Sequence, residues 1–265
     1  MVSSRVRAAA RLLVYVLLTV PLMPVQALFV ALGSRWASRL PLLYHRLCCR
    51  IFSIELVVEG EVATARPTLF VANHISYLDI EVLSAVVETS FVAKREIAGW
   101  PFFGWLARLQ RTVFVDRRAR GVEGERDELA RHLKERRNIV LFAEGTSSDG
   151  NRLLPFKSAL FSVAERNVGG APLAVQPVTI AYTRLDGMPL GRPIRPFVAW
   201  YGDMELAPHL WFALGLGRIT AVVRFHPPVT LAAFGSRKAL AGHCEQTIGA
   251  ALEAANLGRP LPVTP

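Results

Sequence analysis

Residues 68–94 read TLFVANHISYLDIEVLSAVVETSFVAK. A β-branched, apolar run ends in the polar pair Asn73-His74, helical spacing follows over Leu78–Val87, and a second apolar run closes at Lys94. Strand, helix and strand in 27 residues make one crossover unit, and strands that are apolar on both sides are those of a sheet covered on both faces. The same texture extends outward. IELVVEG (54–60), TVFVDR (112–117), NIVLFAEG (138–145), LAVQPVTIAYT (173–183) and RITAVVRF (218–225) read as further strands. Phe102–Gln110, Gly124–Arg136, Phe156–Asn167 and Arg237–Ala254 carry helical spacing, with Pro101 at a helix start and Ser236 as an N-cap. The turn-rich stretch Leu185–Pro208 reads as a surface excursion. The expected fold is α/β, with a mainly parallel or mixed sheet flanked by helices.

Upstream of residue 54 the texture differs. Arg5, Arg7, Arg11, Arg35, Arg39, Arg46 and Arg50 precede the first acidic residue, Glu55, so this segment supplies most of the net charge of +10. Between Arg11 and Arg35 lies the uncharged run LLVYVLLTVPLMPVQALFVALGS, interrupted by Pro21 and Pro24. Its length suffices for a bilayer, and the prolines bend or end a helix. The expectation is a kinked span or shallow hairpin whose arginine-rich flanks stay cytoplasmic. A secretory signal peptide and a buried core helix are the rivals. No small-x-small cleavage site followed by a polar region supports the first, and nothing downstream is plainly shaped to cover the second. Two regions are therefore expected: a membrane-attachment segment at 1–53 and a catalytic domain at 54–265. Cys48, Cys49 and Cys244 form no metal or redox spacing and read as small hydrophobes. The chain is 52% hydrophobic and only 20% charged, which excludes disorder and disulfide scaffolds.

In parallel sheets the site lies beyond the carboxyl ends of the strands. The polar residues there are Asn73-His74, Lys94-Arg95, Asp116-Arg117 and Glu144-Gly145-Thr146, all on one expected rim. His74 and Asp79 are five apart. They meet only if His74 sits on the strand-to-helix turn and Asp79 on the first helical turn, where a carboxylate can orient an imidazole. Ser76 and Asp79 also fit a capping box, which needs no catalysis. Zinc spacings, a Walker loop and a nucleophile elbow are missing, and Gly215-Leu216-Gly217 lacks the third glycine of a dinucleotide loop. A histidine base without a serine points to a substrate hydroxyl as nucleophile.

Four blocks, N-H-x4-D at Asn73–Asp79, VFVDR at 113–117, FAEGTSS at 142–148 and VQPVTI at 175–180, resemble the glycerolipid acyltransferases of the 1-acylglycerol-3-phosphate type. The resemblance covers roughly residues 54–230. It implies that His74 is general base on a lysolipid hydroxyl and that Asp79 supports it. The alcohol then attacks the thioester of acyl-CoA or acyl-carrier protein, with no cofactor and no metal. It further implies that Arg117 serves the acceptor head group and that Glu144 and Gly145 shape the acceptor site; Asn73, Thr146, Lys94 and Lys157 join them as binding candidates, with Arg152 another possible cation.

Two departures bear on the acceptor. Arg111 stands where the second block usually opens with glycine, and the third block has Ala143 and Ser147 where proline and arginine are common. An arginine there would pair with a phosphate. The stretches LQRTVFVDR and EGTSSDGNRLLPFKSALF are similar to a bacterial branch that includes lyso-ornithine-lipid acyltransferases, whose acceptor has no phosphate. Lysophosphatidate leads on family frequency, with lyso-ornithine lipid close behind. The expected partners are a lysolipid, an acyl thioester and the cytoplasmic membrane, and no nucleic acid. A non-catalytic lipid-binding protein and a thioester hydrolase are the other readings. Trp100, Phe102, Phe103 and Trp105 could line an acyl slot, face lipid or pack in the core. The histidines other than His74 read as bystanders.

Overall fold

A computed structural model describes residues 3–115, 131–168 and 170–259. Two long helices come first, α1 (Arg5–Ala31) and α2 (Trp36–Ile51). Next come β1 (Ile54–Glu59), β2 (Thr68–Ala72), α3 (Leu78–Val86), β3 (Ser90–Lys94), α4 (Phe103–Leu109), β4 (Val113–Val115) and β5 (Ile139–Phe142). The small hairpin β6 (Asn167–Val168) and β7 (Ala171–Pro172) leads into β8 (Ala174–Leu185) and β9 (Met188–Pro189). After α5 (Leu206–Leu214) come β10 (Ile219–Phe225), β11 (Val229–Thr230) and α6 (Arg237–Leu257). The expected helix over 124–136 lies mostly outside the described residues. Over 156–167 the chain instead forms a 3-10 helix, Ser158–Glu165. There Lys157 N–H is held by the Ala143 carbonyl, and the buried Phe161 and Ala164, three apart, face inward with three-residue periodicity.

The main sheet runs β1-β10-β8-β2-β5-β3-β4, with β9 and β11 added on β8. Neighbours from β8 through β4 are parallel, as are β1 and β10, while β10 is antiparallel to β8. The sheet is thus mixed with a parallel centre. Alternate residues of β2 serve its two faces: Phe70 and Ala72 enter the apolar cluster under α1, α2 and α3, and Leu69 and Val71 enter the one under α6.

The α1–α2 hairpin shares the first of those clusters through Ala8, Tyr15, Cys48, Cys49 and Phe52. Of the two expected effects of the prolines, bending or ending the helix, the second does not occur: α1 continues as one helix through Pro21 and Pro24. Both prolines lie on its exposed side, so the helix absorbs them without disturbing the packing of its inner face. That inner face carries Tyr15, Thr19 and Gln26, all buried, while Leu13, Leu17, Val20 and Leu28 are exposed. Only 17% of the apolar window of α1 is buried, which disposes of the core-helix reading.

Three of the seven N-terminal arginines have structural work. Arg7 Nε donates to the Gly215 carbonyl, Arg11 to those of Leu214 and Leu216, and Arg46 Nε to Ala85 in the last turn of α3. They cap helix C-termini, where carbonyls lack partners. Arg5, Arg35, Arg39 and Arg50 are exposed. The Gly215-Leu216-Gly217 motif acquires a reason here. A Cβ on Gly215 would overlap Ser3 Oγ, and one on Gly217 the Asp186 carboxylate.

Candidate active site

The parallel strands β2, β5, β3 and β4 end on one rim, so three of the four expected clusters converge there; Asp116 and Arg117 lie outside the described residues. Strand β8 outruns β2, which it pairs only as far as Ala72↔Val178. The overshoot has a use. Ile180 N–H donates to Asn73 Oδ1 at 2.8 Å and Asn73 Nδ2 donates to the Ile180 carbonyl at 2.9 Å, so the amide continues the ladder one step past the strand. Asn73 is therefore a brace for the turn that presents His74.

That turn brings His74 Nδ1 to 2.8 Å from Asp79 Oδ2. The same oxygen accepts the N–H groups of Ile75 at 2.6 Å and Ser76 at 3.0 Å, at the entry to α3. One carboxylate thus orients the imidazole and supplies its half of the capping box, while Ser76 Oγ takes no part in the cap. Its other oxygen, Oδ1, accepts the hydroxyl of Tyr182 at 2.8 Å, and Asp79 is fully buried. The imidazole stacks on Phe142, with centroids 4.0 Å apart. With Nδ1–H committed to the carboxylate, Nε2 is the basic nitrogen, and among the described residues no protein group engages it.

Glu144 is also buried, and it supports His74 from behind. Its Oε1 accepts His74 N–H at 2.6 Å and its Oε2 accepts Leu154 N–H at 2.8 Å. Burial pushes its carboxyl up to about 7, against the pull of those two backbone donors, and the Asp79 charge adds to the rise. Gly145 follows with φ +71°, the left-handed conformation in which the chain leaves β5. Ser148 N–H closes the loop onto the His74 carbonyl at 2.9 Å. Thr146, Lys94, Lys157 and Arg152 are exposed at this end of the sheet.

His74 opens onto a cavity of about 240 Å³ between α1, α2, α3, α4 and α5. Tyr77, Ile80, Phe91, Trp100, Phe103 and Leu210 are among its walls, so two of the four aromatics expected near an acyl slot reach it. Trp105 instead is 63% exposed. The excursion 185–208 does not stay on the surface: Trp200 lines the cavity, and its backbone N–H bonds the Ile75 carbonyl. His209, set aside as a bystander, holds the Tyr77 hydroxyl at 3.0 Å. Tyr182 escaped notice in the sequence, although it falls on the same alternation as Val178 and Ile180 in β8.

A family model described as Acyltransferase matches residues 55–181, the span holding the dyad, the Glu144 turn and Ile180. The chain is 49% identical over 251 residues to a lyso-ornithine lipid O-acyltransferase of Brucella abortus, covering 93% of this chain and 94% of the relative. The chain belongs to the lysolipid acyltransferase family. A 1-acyl-sn-glycerol-3-phosphate acyltransferase of Neisseria gonorrhoeae is 35% identical, over 69% of the enzyme and 68% of the relative. The crystal structure of the 1-acyl-sn-glycerophosphate acyltransferase PlsC from Thermotoga maritima shares the fold, with a TM-score of 0.65, 23% identity and coverage of 98% and 100% of the two chains. The enzyme thus acts by acyl transfer on a lysolipid, which sets aside the purely lipid-binding reading.

Proposed function

We propose that the enzyme esterifies the free hydroxyl of lyso-ornithine lipid, taking the acyl group from acyl-CoA or acyl-carrier protein. The observation that carries the chemistry is the buried Asp79 holding His74 Nδ1 at the mouth of an apolar cavity. His74 Nε2 takes the proton of the acceptor hydroxyl as its oxygen attacks the thioester carbonyl carbon. The imidazolium that forms is stabilised by Asp79. Collapse of the tetrahedral intermediate breaks the C–S bond, and the leaving thiolate recovers the proton from Nε2. The cavity houses a fatty chain, while Glu144 positions the base and Arg117, Lys94, Thr146 and Lys157 meet the polar parts of the substrates.

The choice of acceptor rests on Ser147, which stands where an arginine would pair with a phosphate monoester, and on the extent of the Brucella abortus likeness. It displaces lysophosphatidate, the acceptor favoured by family frequency alone. The exposed apolar side of α1, flanked by arginines, supports attachment to the cytoplasmic face of the membrane. The test supplies the purified full chain with labelled acyl thioester, on CoA and on carrier protein, and a panel of lysolipids. Diacyl ornithine lipid should form, and His74→Ala should abolish it. Product surviving that substitution sinks the mechanism. Preferential use of lysophosphatidate sinks the acceptor assignment, and thioester loss without lipid product points to a hydrolase.

A further inference from the structure

The cavity has a feature that acyl transfer does not require. Where α1, α2, α3 and α4 meet, a band of polar side chains crosses its otherwise apolar wall. His45 Nδ1 lies 2.5 Å from Glu81 Oε2, and Nε2 of the same ring lies 3.3 Å from Gln110 Oε1. Gln110 donates onward to Ser84 Oγ and the Thr89 carbonyl. From α1, Gln26 Nε2 donates to the carbonyls of Ala37 and of Leu109, the neighbour of Gln110. Gln26 is 6% exposed, and its Oε1 is buried without a hydrogen-bond partner. Gln26, His45, Glu81 and Gln110 all line the cavity. Glu81 stands one helical turn along α3 from Tyr77, so the band lies further along the helix than the dyad.

A plain hydrocarbon chain has nothing to offer such a wall. An amide oxygen covered by methylenes loses water and gains no partner, and a leucine in its place would suit the chain better. We propose that the band recognises an oxygenated fatty chain, one whose hydroxyl, remote from the reacting end, donates to Gln26 Oε1 beside the His45–Glu81 pair. This rests on the reading that the cavity holds a fatty chain. The hydroxylated chain is either the acyl group being transferred or the chain already on the lysolipid, and the chemistry recognised is the same.

The test is equilibrium binding to the full chain in detergent micelles. The probes are free fatty acids of one length, plain or hydroxylated near the carboxylate, at mid-chain or at the terminus. The mid-chain or terminal hydroxy isomer should bind about tenfold or more tighter than the plain acid, the gain of one hydrogen bond, and tightest binding of the isomer hydroxylated near the carboxylate overturns the proposal. Gln26→Leu should erase that preference by weakening the hydroxylated acid and strengthening the plain one. Glu81→Gln, which keeps shape and volume, should reduce it and serves as the check if Gln26→Leu fails to fold. Equal affinity for every isomer overturns the proposal, as does a preference that neither substitution moves. Turnover with hydroxylated thioesters on plain lysolipids, and with plain thioesters on hydroxylated lysolipids, then assigns the chain. Product formed without any binding preference removes this proposal alone; preference without product removes the acyl-transfer mechanism and leaves it standing.

Discussion

Asp79 does more than face a histidine. Its two oxygens collect an imidazole N–H, two backbone N–H groups and the Tyr182 hydroxyl, so the carboxylate cannot rotate away from His74 without breaking several bonds at once. Tyr182→Phe removes one of them without leaving a hole. A hydrogen bond to a charged group is worth roughly 1.5–3 kcal/mol, so kcat should fall about tenfold or more while KM stays near its native value. A rise in KM at constant kcat would instead make Tyr182 a binding residue. Glu144 supplies a pH signature. Its buried carboxyl keeps its proton up to about 7, whereas an unfolded chain releases it near the ordinary value of 4.5. Between those values the native state binds the extra proton, so this group's contribution to stability falls as pH rises through that window and is level above it. Melting temperatures of the native enzyme and Glu144→Gln, differenced across pH, should show that slope; a flat difference contradicts it.

Strand β8 and helix α1 decide how the site is held. Because β8 continues past the end of β2, the turn that carries His74 is tied to the sheet through Asn73 rather than left as a free loop. Asn73→Ala strands the buried N–H and carbonyl of Ile180, at about 1–3 kcal/mol each before relaxation. Urea unfolding should register a loss of about 2 kcal/mol or more, accompanied by lower kcat. Asn73→Leu should be no better, since it too lacks both hydrogen-bonding atoms. The approach of the N-terminal arm to α5 is equally specific. Gly215→Ala pushes a methyl group into Ser3 Oγ and the Ser4 backbone and should lower the melting temperature, whereas Gly242→Ala, with open space around its Cβ and a helical setting, should not.

For the enzyme as an assembly, the telling property is the orientation of α1. Its buried side is the more polar one, with Tyr15, Thr19 and Gln26, and its exposed side is aliphatic. That arrangement is inverted relative to a helix on a water-soluble protein, and it suits an apolar surrounding. Leu13→Glu, Leu17→Glu and Val20→Glu together place three charges on that side, each costing about 2.5–3.5 kcal/mol at the depth of a bilayer centre. Flotation with liposomes should be lost. Flotation that persists would move the lipid contact elsewhere. The hairpin cannot be regarded as a detachable anchor, because Tyr15, Cys48 and Phe52 belong to the same cluster as Phe70 and Leu78.

Much of this was readable in the residues alone. Alternating strand and helix patterns specified the α/β sheet, because period-2 and period-3.6 burial leave distinct traces. The spacing of His74 and Asp79, placed across a strand-to-helix turn, was enough to foresee their meeting, since both lie within one local element. What lies far apart in the chain was not readable. Tyr182 reaches Asp79 across 103 positions, Asn73 is engaged by a strand 107 positions away, and Gln26 reaches the Leu109 carbonyl, 83 positions away, through the docking of a hairpin on α4. For a related reason the prolines of α1 did not end the helix: they weaken a helix in isolation, but packing against α2, α4 and α5 keeps the chain helical on both sides of them. Local chemistry carries its own signal along the chain, whereas the partners of a buried group are chosen by how the sheet and helices come together.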